Sequence, residues 1–147
     1  MPHTCTRREA VRILGLTALA LACRNGPSLP LPEDVVLGRD ECVWCRMLID
    51  DARLPAEFAR AGGRVEKFGE PGCLVSWLAA NRDVAGAAYV TVEDGAWMPA
   101  ADAWFVTGAT RTPMAFDITA HRTAPAGADA IAWTALLAEG APDVRPS

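Results

Sequence analysis

Apolar and polar positions along the chain change period every few residues, so the predicted elements are short. Glu57 to Ala61 and Arg64 to Phe68 read as two strands joined through Gly62-Gly63, a pair that supplies the positive φ angles of a tight turn. Leu74, Trp77 and Leu78 then recur at three- and four-residue spacing, which predicts a helix opening at Gly72-Cys73 and running through Asn81. Ala87 to Val92 reads as a strand, Asp94-Gly95 as a turn into Trp97, and Trp104 to Thr107 and Met114 to His121 as further strands. Gly127 to Glu139 predicts a second helix with Ile131, Ala135 and Ala138 on one stripe, closed by Gly140 with Pro142 beyond. Short strands mixed with short helices predict an α+β fold. The element order allows two related ββαβ-like modules packed together, over residues 42–93 and 94–140.

The chain ends carry different patterns. Residues 1–22 combine a basic head (Arg7, Arg8, Arg12) with an apolar stretch from Ile13 to Ala22, the pattern of a secretory signal. Ala20-Leu21-Ala22-Cys23 resembles a bacterial lipobox with Cys23 as the acylated residue, although Ala20 stands where the usual pattern has leucine. Thr6-Arg7-Arg8 adds a hint of twin-arginine export. Residues 23–41, with Pro27, Pro30 and Pro32, read as a lipidated N-terminus followed by an extended tether, and 141–147 as a tail. These features predict a protein outside the cytoplasm, anchored by lipid to a bacterial membrane, with the outer membrane favoured.

Composition narrows the function. The 147 residues carry 14 basic and 18 acidic side chains. Cleavage after residue 22 would leave 11 and 17, a charge of −6. Such a balance argues against nucleic acid, whose binders need a basic face to displace counterions. The same cleavage would remove Cys5 and commit Cys23 to lipid, leaving Cys42, Cys45 and Cys73. Three thiols cannot all pair within one chain, so one stays free, binds metal or pairs elsewhere.

Cys42-Val43-Trp44-Cys45-Arg46-Met47 places two thiols and a thioether within six residues. These are soft, polarisable donors that favour Cu(I) over hard cations. A structural zinc site would need four ligands, with Cys73 and the one histidine of the processed chain, His121, completing the set. A Cys42–Cys45 disulfide or a redox-active pair remains an equal reading of the spacing alone. Cys73 near a helix start is either a thiolate stabilised by the helix dipole or a buried, inert cysteine. On a regular strand, Met114 shares a face with Phe116 and Ile118, while His121 lies opposite with Asp117 and Thr119. Met114 and His121 then cannot meet at one site without a bulge. Trp44 either shields a metal from water or covers the core, and Met98 beside Trp97 reads as packing.

Four blocks in order resemble the NosL-type copper-chaperone lipoproteins, a family associated with assembly of the copper-sulfide site of nitrous oxide reductase. They are Asp40 to Asp50 with its double cysteine and methionine, Phe68 to Cys73 with Trp77, Trp97 to Val106, and Thr112-Pro113-Met114. The resemblance implies a non-enzymatic, periplasmic Cu(I) carrier whose ligands are Cys42, Cys45, Met47 and Met114, with Cys73 and His121 as further candidates. It also implies a cuproenzyme client, nitrous oxide reductase or similar, and membrane copper-handling machinery as partners. The chain departs from the family at Arg46 and Ala115, where the family has glycine, and at His121, where it has an aromatic residue. Arg46 is expected to disfavour a left-handed backbone and to lower the thiol pKa of Cys45. The rival reading is a periplasmic thiol–disulfide oxidoreductase using Cys42 and Cys45. No βαβ context of the thioredoxin kind precedes Cys42 to support it.

Overall fold

The computed structural model describes residues 31–142. Residues 1–30, with the expected signal, Cys23 and the start of the expected tether, and residues 143–147 lie outside the described residues. Strands β1 (Ala56–Arg60) and β2 (Val65–Phe68) form the expected hairpin, turning at Gly63 with φ 88°. Helix α1 (Pro71–Ala80) follows directly, with Pro71 at the position where a missing N–H costs nothing. Strands β3 (Gly86–Thr91) and β4 (Trp97–Pro99) complete an antiparallel sheet in the order β2-β1-β3-β4. A short 3-10 turn, Ala100–Asp102, leads to β5 (Trp104–Thr107). Strands β6 (Ile118–His121) and β7 (Ala130–Ala132) flank β5 in a second antiparallel sheet, and α2 (Trp133–Glu139) closes the described chain. The architecture is α+β.

Two expected elements are shorter than the sequence predicts. Residues 114–117 do not extend β6 but form a turn in which Ala115 (φ 57°) and Asp117 (φ 55°) are left-handed, a backbone no strand contains. Side-chain bonds fix that turn: Thr112 N–H donates to Asp117 Oδ1 (3.0 Å), and Asp117 N–H donates to Thr112 Oγ1 (2.9 Å). The second helix starts at Trp133 rather than Gly127, because Ala130–Ala132 are drawn into pairing with β5. Its buried stripe is Trp133 and Leu136, not Ile131, Ala135 and Ala138. Strand β4 pairs with β3, so the first sheet extends through Pro99.

Helix α1 touches β1 and β2 of the first sheet, β6 of the second, and α2, and so ties the two sheets together. Its Trp77 packs against Phe58 and Phe68 with ring centroids 5.4 and 5.5 Å away, within the range that favours tilted aromatic pairs. Phe105 and Trp133 make the matching pair (5.4 Å) under the second sheet. Gly72 on α1 faces Phe116, and a Cβ at that position would overlap the phenyl group. Glycine there lets the turn at 112–117 lie directly on the start of α1.

Candidate metal centre

Three separate stretches build the site. The first is a narrow loop in which Glu41 and Leu48 bridge and Asp40 and Ile49 bond, holding residues 42–47 as a tight knuckle. Within it Cys42 N–H donates to Met47 O (2.8 Å) and Arg46 N–H donates to Cys42 O (2.9 Å). Val43 N–H donates to Lys67 O (2.8 Å), pinning the knuckle to β2. Lys67 reinforces the attachment through Asp40 Oδ2 (2.9 Å) and Asp34 O (2.9 Å). The knuckle closes only because Arg46 takes φ 64°. The expectation that a side chain would keep this position out of the left-handed region is corrected: the turn's hydrogen bonds outweigh a penalty of roughly 1–2 kcal/mol.

The second stretch is Gly69 to Cys73, where β2 runs into α1 and places Cys73 in the first turn of the helix. The third is the turn at Thr112-Pro113-Met114. The Sγ atoms of Cys42, Cys45 and Cys73 all lie within 4.8 Å of one another, and all three cysteines are free thiols. Met47 and Met114 line the same cavity, together with Gly69 and Glu70. The cavity holds about 20 Å³, and one water-sized occupant needs roughly 10–15 Å³. Cys42 and Cys73 are buried, Cys45 and Met114 half-buried, and Met47 is 46% exposed, so the pocket opens to solvent on the side of its weaker donors.

The thiols divide the protons unevenly. Cys42 is lowered from an ordinary 9.0 to about 5, first because the Cys73 thiol hydrogen-bonds to it. Burial opposes that fall, and the N–H groups of Cys45, Gly69 and Trp44 add to it. Cys73 is correspondingly raised, by serving as the donor to Cys42 and by burial. The idea that the helix dipole makes Cys73 a thiolate is therefore corrected, because the neighbouring Cys42 anion overrides it. Cys45 is also raised, chiefly by burial, so Arg46 does not depress it as expected. Arg46 is exposed.

The remaining candidates separate. His121 sits at the end of β6, with Nε2 3.0 Å from Thr119 Oγ1 and Nδ1 3.9 Å from Glu93 Oε2, and it lines a different cavity with Asp51 and Arg53. The structure does not bring it to the thiols. Trp44 packs half-buried against the core without lining the thiol cavity, and Met98 on β4 also packs against the core. Sequence reasoning missed Glu70. This buried carboxylate accepts hydrogen bonds from Thr112 Oγ1 and from Met114 N–H (2.7 Å). Burial raises its pKa, against the pull of those two donors. Its only signal in the sequence is a carboxylate beside the Gly72-Cys73 pair, an ordinary place for a helix N-cap.

The fold and the cavity define a small α+β domain in which three thiols and two thioethers from distant parts of the chain converge. No family model and no curated protein matches the sequence. Among solved structures the fold is similar to the crystal structure of the copper chaperone NosL from Shewanella denitrificans, with a TM-score of 0.53 and 23% identity. The similarity covers 64% of this chain and 81% of that one. At this identity it establishes the fold.

Proposed function

We propose that the chain is a lipid-anchored, periplasmic Cu(I) carrier without enzymatic activity, delivering copper to a cuproenzyme. By resemblance that client is nitrous oxide reductase, reached with membrane copper-handling machinery. The observation that carries the reading is the convergence of three Sγ atoms within 4.8 Å in a cavity also lined by two thioethers. A set made of sulfur suits a soft monovalent ion. Zinc would look for a fourth strong ligand, but His121 is elsewhere and no carboxylate oxygen of the described residues clusters with the three sulfurs. Cys42, Cys45 and Cys73 would bind as thiolates, and Met114 and the exposed Met47 as weaker donors. An incoming acceptor could displace the weaker donors one at a time.

The oxidoreductase reading keeps one favourable observation, a cysteine lowered to about 5. That cysteine is buried, while the more accessible Cys45 is raised, which is the reverse of what attack on a protein disulfide requires. The test loads the reduced protein with Cu(I) and adds a thiol-containing acceptor, following both metal transfer and insulin reduction. A carrier passes its copper while insulin turnover stays at background. Turnover that depends on Cys42, without metal transfer, would replace the carrier with the oxidoreductase.

A further inference from the structure

Glu70 occupies the N-cap position of α1, where a carboxylate ordinarily accepts from the N–H groups of its own first turn. It makes no such cap here. Its side chain turns away from the helix and spends both oxygens on a turn more than forty residues later, one on the Thr112 hydroxyl and the other on Met114 N–H. The partner turn is itself closed, since Thr112 and Asp117 exchange bonds of 3.0 and 2.9 Å and Ala115 N–H donates to Thr112 O (2.9 Å). On its other side Glu70 adjoins Gly69, whose N–H points at Cys42, and precedes Cys73 by three residues. The buried carboxyl therefore joins the thiol-bearing stretch to the thioether-bearing one, through the Thr112 hydroxyl and the main-chain N–H of Met114.

We infer that Glu70 is the positioning residue that holds Met114 in the cavity lined by Cys42, Cys45 and Cys73, so that the thioether completes a site the cysteines alone leave open. The inference rests on the copper reading above and deepens it. Glu70 does not itself bind the ion: its oxygens are not among the ligand atoms that cluster with the three sulfurs, and a soft ion prefers sulfur to carboxylate oxygen. Without the carboxylate, Met114 N–H loses its acceptor and the turn keeps the packing of Phe116 on Gly72, which does not hold Met114 itself. Groups that orient a ligand from behind typically contribute 10- to 100-fold in metal affinity.

The test uses the full chain labelled with selenomethionine and carrying Met47→Leu, which leaves Met114 as the labelled thioether in the cavity. X-ray absorption of the Cu(I)-loaded protein then reads a selenium neighbour of copper directly. The expected result is a copper–selenium contact that Glu70→Ala abolishes, with Cu(I) affinity falling about 10-fold or more and the sulfur neighbours retained. Glu70→Gln, whose amide oxygen can still accept from Met114 N–H and whose NH2 can donate to Thr112, should restore the contact. Thr112→Val, which removes the hydroxyl that donates to Glu70 and accepts from Asp117 N–H but leaves the bond from Met114 N–H to Glu70, should weaken it. A selenium neighbour that persists in Glu70→Ala, or that stays at full strength in Thr112→Val should the alanine variant fail to fold, overturns the inference and leaves the carrier reading standing. A parent protein that binds no Cu(I) overturns both.

Discussion

At Cys42 three backbone N–H groups and one thiol converge on a single sulfur. That arrangement stabilises an anion, and it is why Cys42 keeps its charge inside the protein while Cys45 and Cys73 keep their protons. The consequence for pH is specific. A depressed pKa contributes stability that is complete above the ordinary value of 9.0 and vanishes as pH falls to about 5. Part of that window is shared with Glu57, which burial raises to about 7. Its contribution has the opposite sign, being lost as pH rises toward that value, so the Cys42 share is the part of the slope that Cys42→Ser removes. Thiolate absorbance of the reduced protein should accordingly titrate with a midpoint near 5, and Cys42→Ser should remove that step. A first thiolate appearing only near 9.0 would contradict the arrangement. The Cys42–Cys45 pair was legible in the sequence because its spacing is local. Arg46 and Ala115 were not, since both take left-handed backbone that their side chains argue against. Each carries a side chain in a region glycine would occupy freely, at a cost of roughly 1–2 kcal/mol in strain. Glu70 was illegible for another reason: its partners lie 42 and 44 residues away.

Among the elements, those defined by local chemistry were read well. The β1–β2 hairpin follows from Gly62-Gly63, and α1 from the periodicity of Leu74, Trp77 and Leu78. Those defined by pairing were not. Ala130–Ala132 looks helical by composition but becomes a strand because β5 offers it an edge. Met114 reads as the start of β6, yet the Thr112–Asp117 bonds wind it into a turn. That turn can lie on α1 only because Gly72 has no side chain. Gly72→Ala should therefore force Phe116 aside and destabilise the protein by about 1–3 kcal/mol in chemical denaturation, the range for overpacking. It should also weaken Cu(I) binding, although no ligand is touched. Unchanged stability would mean that the contact between α1 and the turn is looser than the structure places it.

Across the whole molecule, residues 42–47, 69–73 and 112–117 come from a loop, a strand-to-helix junction and an inter-strand turn. None of them alone is a site. Helix α1, packed against both sheets, brings them to one cavity, which is why the sequence could propose Cys73 and Met114 but could not decide between ligand and core. His121, equally plausible in the sequence, ends on another face because β6 points it toward Thr119 and Glu93. The measurement closest to the central claim is a Cu(I) titration of the reduced protein against a tight colorimetric chelator, with zinc as competitor. One Cu(I) per chain, retained against both chelator and zinc and lost in Cys42→Ser and Cys73→Ser, is the predicted result. Copper stripped completely by the chelator, or displaced by zinc, would contradict it.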